Sequence, residues 1–558
     1  MPGLAQGHRT RPHCHGKFRK RVGHPVHISD RDSAVRSNLI AGPDRPRAIF
    51  FALPVKGNGA GASTGYVCGT TCANLDQRFP LWQRVMEIFP ASMVVLLVWL
   101  LVSLRVPGSS IAMTIIMLPF GMFAIILLPS LGGLSITAAV FFAALAASLA
   151  AARLLLSGGG RGEIAVSPAT LALAGFTIYA AFSSLVLVRY FQGSFLVFPV
   201  VRGATGERID PSFPSVLAPV WPSNGNLSQT FHILIGFAFF VAFSSWIRRA
   251  GPARAEQFLA IAAGVNIALA LINALGLDAL LAWVQTAAYT LHDQQTMAGM
   301  RRVIGGFPEP APFGAMSAVF CGYFLSAWGH SYRPRDLILG VGNGAFAVLS
   351  YSTTGLAALG VVLLLLLLRF VMQPRLPRDR RRLILSMATI FAVLAMLAAV
   401  VVATPLLNLA DDLFNRLFLS KLSSLSGQER SAWAQSGMNA FYSTWGLGAG
   451  AGSLRSNGLF PSLLGSVGAP GTLLFLAFLW LSIGRSARVI RDATARRVYA
   501  SAQIAAAGQL FALTLSSTVP DPTLLLLVCC AMTVGARADI PDRATAPDSP
   551  GIPTPATR

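Results

Sequence analysis

Residues 134–156 read LSITAAVFFAALAASLAAARLLL, and this stretch decides the fold class. Its one charge is Arg153, and its length suits a helix that crosses about 30 Å of hydrocarbon with roughly 20 residues. Similar apolar windows lie at 90–105, 109–131, 167–189, 229–247, 256–276, 310–329, 336–352, 355–373, 383–404, 463–484, 500–518 and 522–536. Over the whole chain 54% of residues are hydrophobic, 12% are charged and the mean hydropathy is +0.60. We therefore predict an all-α, polytopic membrane protein.

Basic residues fall in alternate loops between these windows. They are Arg153, Arg161, Arg248, Arg249, Arg254, Arg333, Arg335, Arg375, Arg378, Arg380, Arg381, Arg382, Arg485, Arg488, Arg491, Arg496 and Arg497. Such an asymmetry is typical of cytoplasmic loops, so the long loops near 190–228, 277–309 and 405–462 are predicted to lie outside the cytoplasm, which is the periplasm if the cell is a Gram-negative bacterium. The net charge of +22 then reflects topology and anionic lipid headgroups, and we expect no nucleic-acid partner.

The two ends of the chain differ from the apolar middle. Thirteen windows with a cytoplasmic C-terminus would place the N-terminus outside, yet residues 1–85 carry 13 Lys and Arg against 4 Asp and Glu. This region shows no helical or strand periodicity, so we predict that 1–85 is disordered or precedes a true start at Met86. Because the window at 90–105 is short, the prediction for the transmembrane domain, 86–536, is about 12 spans. The tail, 537–558, is also predicted to be disordered.

Signatures of metal and nucleotide chemistry are missing from the sequence. No histidine pair lies on one helix face, no Asp-x-Asp stands in an external loop, and Cys68 and Cys72 have no spaced partner pair. We therefore predict that the protein uses no metal and no other cofactor.

An external arginine pair stands just before the window at 310–329. The sequence there reads Arg301-Arg302-Val303-Ile304-Gly305-Gly306-Phe307-Pro308-Glu309-Pro310. A guanidinium group binds phosphate through two parallel hydrogen bonds, so this pair could hold an anion at the mouth of a helical bundle. The alternative is contact with lipid headgroups alone.

The large loop at 405–462 supplies a second polar set. Ser426-Gly427-Gln428-Glu429-Arg430-Ser431-Ala432-Trp433 is predicted to begin a helix, with Ser426 or Ser431 as the cap and Glu429 in the first turn. Gly446, Gly448, Gly450 and Gly452 then break the helix, either as a phosphate-binding nest or as an ordinary flexible connection. Arg455-Ser456-Asn457-Gly458 follows directly.

Taken in order, these motifs resemble the O-antigen ligase and polymerase superfamily, which includes exopolysaccharide polymerases. The resemblance covers roughly 170–536 and rests on Arg-Arg-x-x-Gly-Gly-Phe-Pro-Glu-Pro, on Ser-x-x-Gly-Leu within the hydrophobic hairpin from Ser350 to Leu356, and on the Ser-Gly-x-x-Arg-x-x-Trp and glycine-rich parts of the large loop. It implies a multi-pass inner-membrane glycosyltransferase that acts on undecaprenyl-diphosphate-linked oligosaccharide at the periplasmic face. A flippase and a chain-length regulator would be possible partners.

The resemblance also implies roles for individual residues. Arg302, Arg430 and Glu309 would form the catalytic group, and Arg301, Arg455, Glu429, Asn457 and Trp433 would bind substrate. Ligases that act on lipid A core carry a histidine late in the large loop, where this chain has Arg455-Ser456-Asn457. That departure favours a polymerase, and Glu309 or Glu429 would replace the histidine as general base. Glu309 as a helix cap is the structural alternative.

Three further alternatives stay open. A ligase that uses another acceptor would need the same arginines. A lipid-linked sugar flippase or secondary transporter would place polar groups inside the membrane, for which Asn266 and Asn343 are the candidates. The aromatic and proline residues of Tyr190 to Gln229 could stack on sugars, although anchoring at the membrane interface is the commoner role of such residues.

Overall fold

The computed structural model describes residues 87–106, 108–128, 134–156, 166–200, 206–208, 214–289, 291, 296–297, 300–371, 424–487 and 490–537. The chain divides into two units, Met1–Gln77 and Arg78–Arg558, and every described residue belongs to the second. The predictions for region 1–85, for the span at 383–404, for 405–423 and for 538–558 lie outside the described residues.

The described part of the chain is mostly helical. Its helices are α1 (Pro90–Ser103), α2 (Ser109–Ile116), α3 (Ala138–Leu156), α4 (Pro168–Tyr190), α5 (Asn224–Ala250), α6 (Pro252–Ala274), α7 (Asp278–Ala282), α8 (Pro310–Ser331), α9 (Pro334–Leu349), α10 (Thr353–Val371), α11 (Leu425–Ser443), α12 (Leu459–Ile483), α13 (Ala493–Ser516) and α14 (Leu524–Ala536). Near its end α4 contains a π-helical turn, Ser183–Leu187. The short strands are β1 (Glu87–Ile88), β2 (Ala124–Leu128), β3 (Leu134–Thr137), β4 (Leu196–Val197), β5 (Ala218–Pro219), β6 (Thr296–Met297) and β7 (Met300–Arg301).

Seven of the described helices, α3, α4, α5, α6, α8, α12 and α13, are long and apolar enough to cross a membrane. Three shorter apolar helices lie at Pro90–Ser103, Thr353–Arg369 and Leu524–Ala536. A multi-pass membrane protein is the class that such helices indicate. The total of about 12 spans stays a prediction, because length and composition qualify seven helices within the described ranges.

One predicted span is not a continuous helix. The window 109–131 forms the short helix α2, then a turn through Pro119 and Gly121, and then strand β2. Proline and glycine interrupt the helix because one lacks an amide donor and the other has a flexible backbone. Strand β2 pairs antiparallel with β3 and with β1, in the order β1-β2-β3.

Helix α8 lies at the centre of the packing, with 89% of its most apolar window buried. Glycines let the neighbouring helices approach it closely. A Cβ atom added at Gly314 would lie 3.1 Å from the Cα atom of Gly355 on α10, and one added at Gly340 on α9 would lie 3.1 Å from the amide nitrogen of Leu325. Small residues of this kind allow backbones to pack tightly where apolar burial alone does not drive helix association.

The two ends of the helical bundle differ in charge. At one end Arg497 of α13 makes two hydrogen bonds to Glu256 of α6, of 2.7 and 3.1 Å, and Arg333 lies 3.8 Å from the same carboxylate. Arg369 of α10 donates to the carbonyl of Ala500 at this end. We call it the basic end and the opposite one the loop end, where α11 and the segments before α8 lie. Two of the predicted cytoplasmic arginines, Arg333 and Arg497, thus lie at the same end of the bundle.

Candidate functional site

Arg302 lies at the loop end, on a segment that the surrounding helices hold in place. The next amide, that of Val303, donates to the carbonyl of Leu349 at 3.1 Å, and the amide of Ile304 donates to Asn273 Oδ1 at 2.9 Å. Gly305 has a φ of +54°, and a Cβ atom at Gly306 would lie 2.4 Å from the carbonyl oxygen of Pro119. The double glycine of the motif therefore serves close backbone packing, which fixes where Arg302 leaves the backbone.

The Arg302 side chain is half-buried, and its Nε donates to the carbonyl oxygen of Ser350 at 3.2 Å. Burial lowers the pKa of this guanidinium, the carboxylate of Glu309 raises it, and the positive charge of Arg430 lowers it. Two of the residues predicted to be catalytic, Glu309 and Arg430, thus lie within electrostatic reach of the third, Arg302. Arg302 and Glu309 belong to the same motif, whereas Arg430 comes from the distant large loop.

Glu309 occupies the N-cap position of α8, with φ −150° and ψ 160°, but its side chain makes no capping hydrogen bond. The side chain is exposed. Glu309 therefore stands at the cap position, but its side chain does not cap the helix. The carboxylate is accessible from the loop end. A general base needs that accessibility to reach an incoming hydroxyl group.

Helix α11 carries the second arginine set. Its N-cap is Ser424, whose hydroxyl accepts from the amide of Gly427 at 3.1 Å, so the prediction of Ser426 or Ser431 as the cap is wrong by at least two residues. The prediction of Glu429 in the first turn is wrong for the same reason, because the first turn of α11 contains no acidic residue. Serine is a favoured N-cap residue wherever it stands, so Ser424, which precedes the motif, caps the helix as well as Ser426 or Ser431 could. Arg430 is half-buried on this helix.

Glu429 is bound by a residue that sequence reasoning missed. Its Oε1 accepts from the amide of Ser215, at 3.2 Å, and from the hydroxyl of Ser215. Two donors on one carboxylate oxygen hold the Glu429 side chain in position. Glu429 is thus a positioning group in this structure, and Glu309 is the better placed of the two candidate bases.

Trp433 connects this set to the end of the large loop. Its indole Nε1 donates to the Ser215 hydroxyl at 3.1 Å, and the guanidinium carbon of Arg455 lies 5.0 Å from the ring centroid. The hydroxyl of Ser456 donates to the Trp433 carbonyl at 3.3 Å. Glu429, Trp433, Arg455 and Ser215 form what we call the Trp433 cluster. A cation above an aromatic face gains about 0.5–2 kcal/mol, which fixes the Arg455 side chain against the helix.

Two predicted substrate-binding residues take different positions. Arg301 forms an ion pair of 2.6 Å with Asp278, and both side chains are more than one third exposed. Asn457 is half-buried between Ser456, whose amide donates to Thr518, and Gly458, whose amide donates to Ser517. Arg301 is therefore engaged with a carboxylate, whereas Asn457 is held beside the Trp433 cluster by the backbone hydrogen bonds of its two neighbours, Ser456 and Gly458.

The glycine cluster supports α12 and is not a phosphate-binding nest. The amide of Ala449 donates to the carbonyl of Gly465 at 2.8 Å, and that of Gly450 donates to the carbonyl of Ser466 at 2.9 Å. The amide of Gly448 donates to the Thr444 hydroxyl at 2.9 Å. These amide groups are thus engaged within the protein. All four glycines have φ between +78° and +101°, which explains the alternating pattern, because L side chains disfavour that conformation.

The described residues contain no group of three or more His, Cys, Asp or Glu side chains placed to hold a metal ion. Within the same ranges Cys321, Cys529 and Cys530 are free and buried. Independence from metals and other cofactors stays a prediction.

Comparison of the chain with family models, with curated proteins and with solved structures gave no match in any of the three. The resemblance to the O-antigen ligase and polymerase superfamily therefore stays a prediction that rests on the order of its motifs.

The structure brings the predicted residues together in part. Arg302, Glu309 and Arg430 share one electrostatic site, and Glu429, Trp433 and Arg455 share the Trp433 cluster; the neighbours Glu429 and Arg430 connect the two. Ser215 and the Ser350 carbonyl were missed. Ser215 stands in a proline-rich loop that has no recognisable spacing, and a backbone carbonyl leaves no sequence signal.

Proposed function

We propose that the protein is a membrane glycosyltransferase that polymerises, or transfers to an acceptor, glycan carried on undecaprenyl diphosphate. The observation that carries the proposal is that the positive charge of Arg430 and the exposed carboxylate of Glu309 both act on Arg302. Two guanidinium groups at one site repel each other, and a bound anion would relieve that repulsion. A diphosphate matches them because guanidinium groups bind phosphate oxygens in pairs.

The three residues could perform the chemistry of glycan transfer. A hydroxyl group of the acceptor would attack the anomeric carbon of the donor sugar, and the bond from that carbon to the diphosphate oxygen would break. Glu309 would take the proton of the hydroxyl group, and undecaprenyl diphosphate would leave with the electron pair. Arg302 and Arg430 would stabilise the negative charge that grows on the leaving oxygen, a contribution worth on the order of 10²–10³ in rate for each such donor.

The Trp433 cluster would bind the sugar part of the substrate. Arg455 and Asn457 are half-buried polar residues near an indole ring. Aromatic rings and hydrogen-bonding side chains are the groups that recognise carbohydrate in a largely preformed site. Because Glu429 and Arg430 are consecutive on α11, sugar bound at the Trp433 cluster would lie beside the proposed diphosphate site.

The loop end would face the periplasm of a bacterial inner membrane. Loops rich in arginine stay in the cytoplasm, so the basic end would face the cytoplasm and the loop end the periplasm. Undecaprenyl-linked glycan would then reach the site after a flippase had moved it across the membrane, and a chain-length regulator would act on the same face.

A break in helix α12 bears on the second candidate function, a flippase or secondary transporter. Helix α12 is interrupted at Gly468, with φ 63° and ψ −168°, and Pro470 follows. Broken helices in transporters expose backbone groups to their cargo. Here the amide of Ala469 donates to the carbonyl of Gly446, and the carbonyls of Gly465 and Ser466 accept from the glycine cluster. The break is thus filled by protein, which favours the enzyme.

A gene deletion separates the candidates, with the glycans analysed on gels and by cell fractionation. Loss of a polymerase should leave single repeat units on their acceptor, and loss of a ligase should leave free polymer. Loss of a flippase should leave lipid-linked units at the cytoplasmic face. Unchanged glycan in the deletion strain would contradict all three functions.

A further inference from the structure

A cavity of about 690 Å³ lies at the basic end, far along the helices from the Arg302 site. Parts of α1, α2, α3, α4 and α5 line it, and most of the lining is apolar, including Trp99, Ile111, Phe237 and Trp246. Its volume falls within the range of roughly 300–1,000 Å³ that ligand sites occupy. The cavity has the size and character of a binding site for an apolar chain.

The charged side chains that line this cavity are all positive. Arg153 of α3 and Arg249 of α5 both line it, both side chains are exposed, and no lining residue in the described ranges is acidic. No ion pair of either arginine occurs within the part of the chain that the structure describes. Two cations beside an apolar cavity are complementary to a molecule with an anionic head and an apolar tail.

A buried hydroxyl group adds a second, independent indication. Ser245 lines the cavity, is 6% exposed, and its Oγ makes no hydrogen bond within the described structure. A buried polar atom without a partner costs about 1–3 kcal/mol, so a ligand oxygen would relieve that cost. The first turn of α2 also lines the cavity, and its N-cap, Gly108, adopts φ +86° and packs on the Trp246 ring.

We propose that this cavity binds one anionic glycerophospholipid from the membrane leaflet at the basic end. The phosphate group would lie between Arg153 and Arg249, and an acyl chain would enter the apolar part of the cavity. The glycerol ester region would accept a hydrogen bond from Ser245. This lipid would join α3, α4 and α5, and the proposal does not depend on the chemistry at the loop end.

The test is competitive binding measured by native mass spectrometry on the purified full-length protein. The protein is stripped of lipid and given equal amounts of phosphatidylglycerol and phosphatidylcholine. We expect one phosphatidylglycerol molecule to be retained in preference. The variant Arg153→Gln/Arg249→Gln should bind it about tenfold or more weakly, because each basic residue near an anionic headgroup contributes to binding. Equal retention of the two lipids by the wild-type protein would overturn the proposal without any variant.

Further variants separate this site from general attraction to the basic end. Arg254→Gln removes an exposed arginine that does not line the cavity, and it should leave binding unchanged. Ala174→Phe should lower binding of phosphatidylglycerol by reducing the space for its acyl chain. Equal losses in Arg254→Gln and in the double variant would overturn the proposal. Preference for undecaprenyl phosphate over phosphatidylglycerol, or a cross-link that places residues 157–165 in the cavity, would overturn it too.

Discussion

Arg302 and Arg430 carry the same charge and come from distant parts of the chain. Burial and the charge of Arg430 both lower the pKa of Arg302, and Glu309 counteracts them. Groups with shifted pKa values are common at functional sites, because proteins retain unfavourable charge arrangements where a ligand needs them. The Ser350 carbonyl gives Arg302 a partner when no ligand is bound.

The two candidate bases should respond differently to removal of their charge. Glu309→Gln should lower kcat by about 10²–10⁴-fold with little change in KM, since general base catalysis contributes about that much. Glu429→Gln should mainly raise KM, because Glu429 holds Ser215 and through it Trp433. Steady-state kinetics with lipid-linked oligosaccharide measure both. A larger loss of kcat in Glu429→Gln than in Glu309→Gln would contradict the assignment of the base.

For individual residues, the sequence predicts which charged side chains belong to the candidate site better than it predicts the partners that they contact. Arg302 and Arg430 stood out because basic residues are uncommon in loops outside the cytoplasm, and Glu309 stood out because it belongs to the same motif as Arg302. Ser215 and Asp278 did not, since each bond depends on a fold that joins distant loops. The Arg301–Asp278 pair also shows that two adjacent arginines in one motif have different environments.

Helices α11 and α12 meet through glycine. A Cβ atom added at Gly465 would lie 2.6 Å from the carbonyl oxygen of Gly437, and one at Gly437 would lie 2.7 Å from the carbonyl oxygen of Pro461. This contact sets the distance of α11 from the bundle, and α11 carries Glu429, Arg430 and Trp433. The packing of two helices thus positions the candidate site.

Enlarging this contact should damage both stability and activity. Gly465→Val should lower the free energy of unfolding by about 1–3 kcal/mol, because overpacking forces the backbones apart. The matched control is Gly360→Val on α10, where a Cβ atom would meet nothing within 4 Å. Thermal unfolding in detergent and glycan synthesis are measured for both. Equal melting temperatures would contradict the role assigned to the α11–α12 contact.

Sequence patterns predicted the elements unevenly. Apolar length identified α3, α5 and α8 well, since each is one long helix that covers all or most of its predicted window. The same measure failed at 109–131, because average hydropathy does not register the effect of Pro119 and Gly121 on the backbone. The alternating glycines near 450 were recognised as a break, but their pairing with α12 required the fold.

At the basic end of the described helices, one buried carboxylate connects two arginines. Glu256 joins Arg497 and Arg333 at the basic end, and the carboxylate is 2% exposed. Arg497 is buried with this carboxylate, and removing one partner of such a buried pair costs about 3–5 kcal/mol, so the pair also holds α6 and α13 together. The arginines that indicate orientation therefore contribute to the structure as well.

Orientation in the membrane can be measured with an impermeant thiol reagent on intact cells. Gln192→Cys places a thiol at the exposed loop end, and Arg254→Cys places one at the exposed basic end, each in a background without native cysteines. We expect labelling of the first in intact cells and of the second only after lysis, because basic loops stay in the cytoplasm. The opposite labelling pattern would contradict the periplasmic site.

The central claim is that Arg302 and Arg430 together hold the departing diphosphate. The most direct test is glycan synthesis by the purified protein with lipid-linked oligosaccharide, in the presence of a metal chelator. Wild-type protein and Arg189→Lys, which changes an exposed arginine of the loop end outside the site, should make product at similar rates. Arg302→Lys and Arg430→Lys should each fall by on the order of 10², because lysine keeps the charge but loses the paired hydrogen bonds. Full activity of both variants, or a requirement for added magnesium, would contradict the claim.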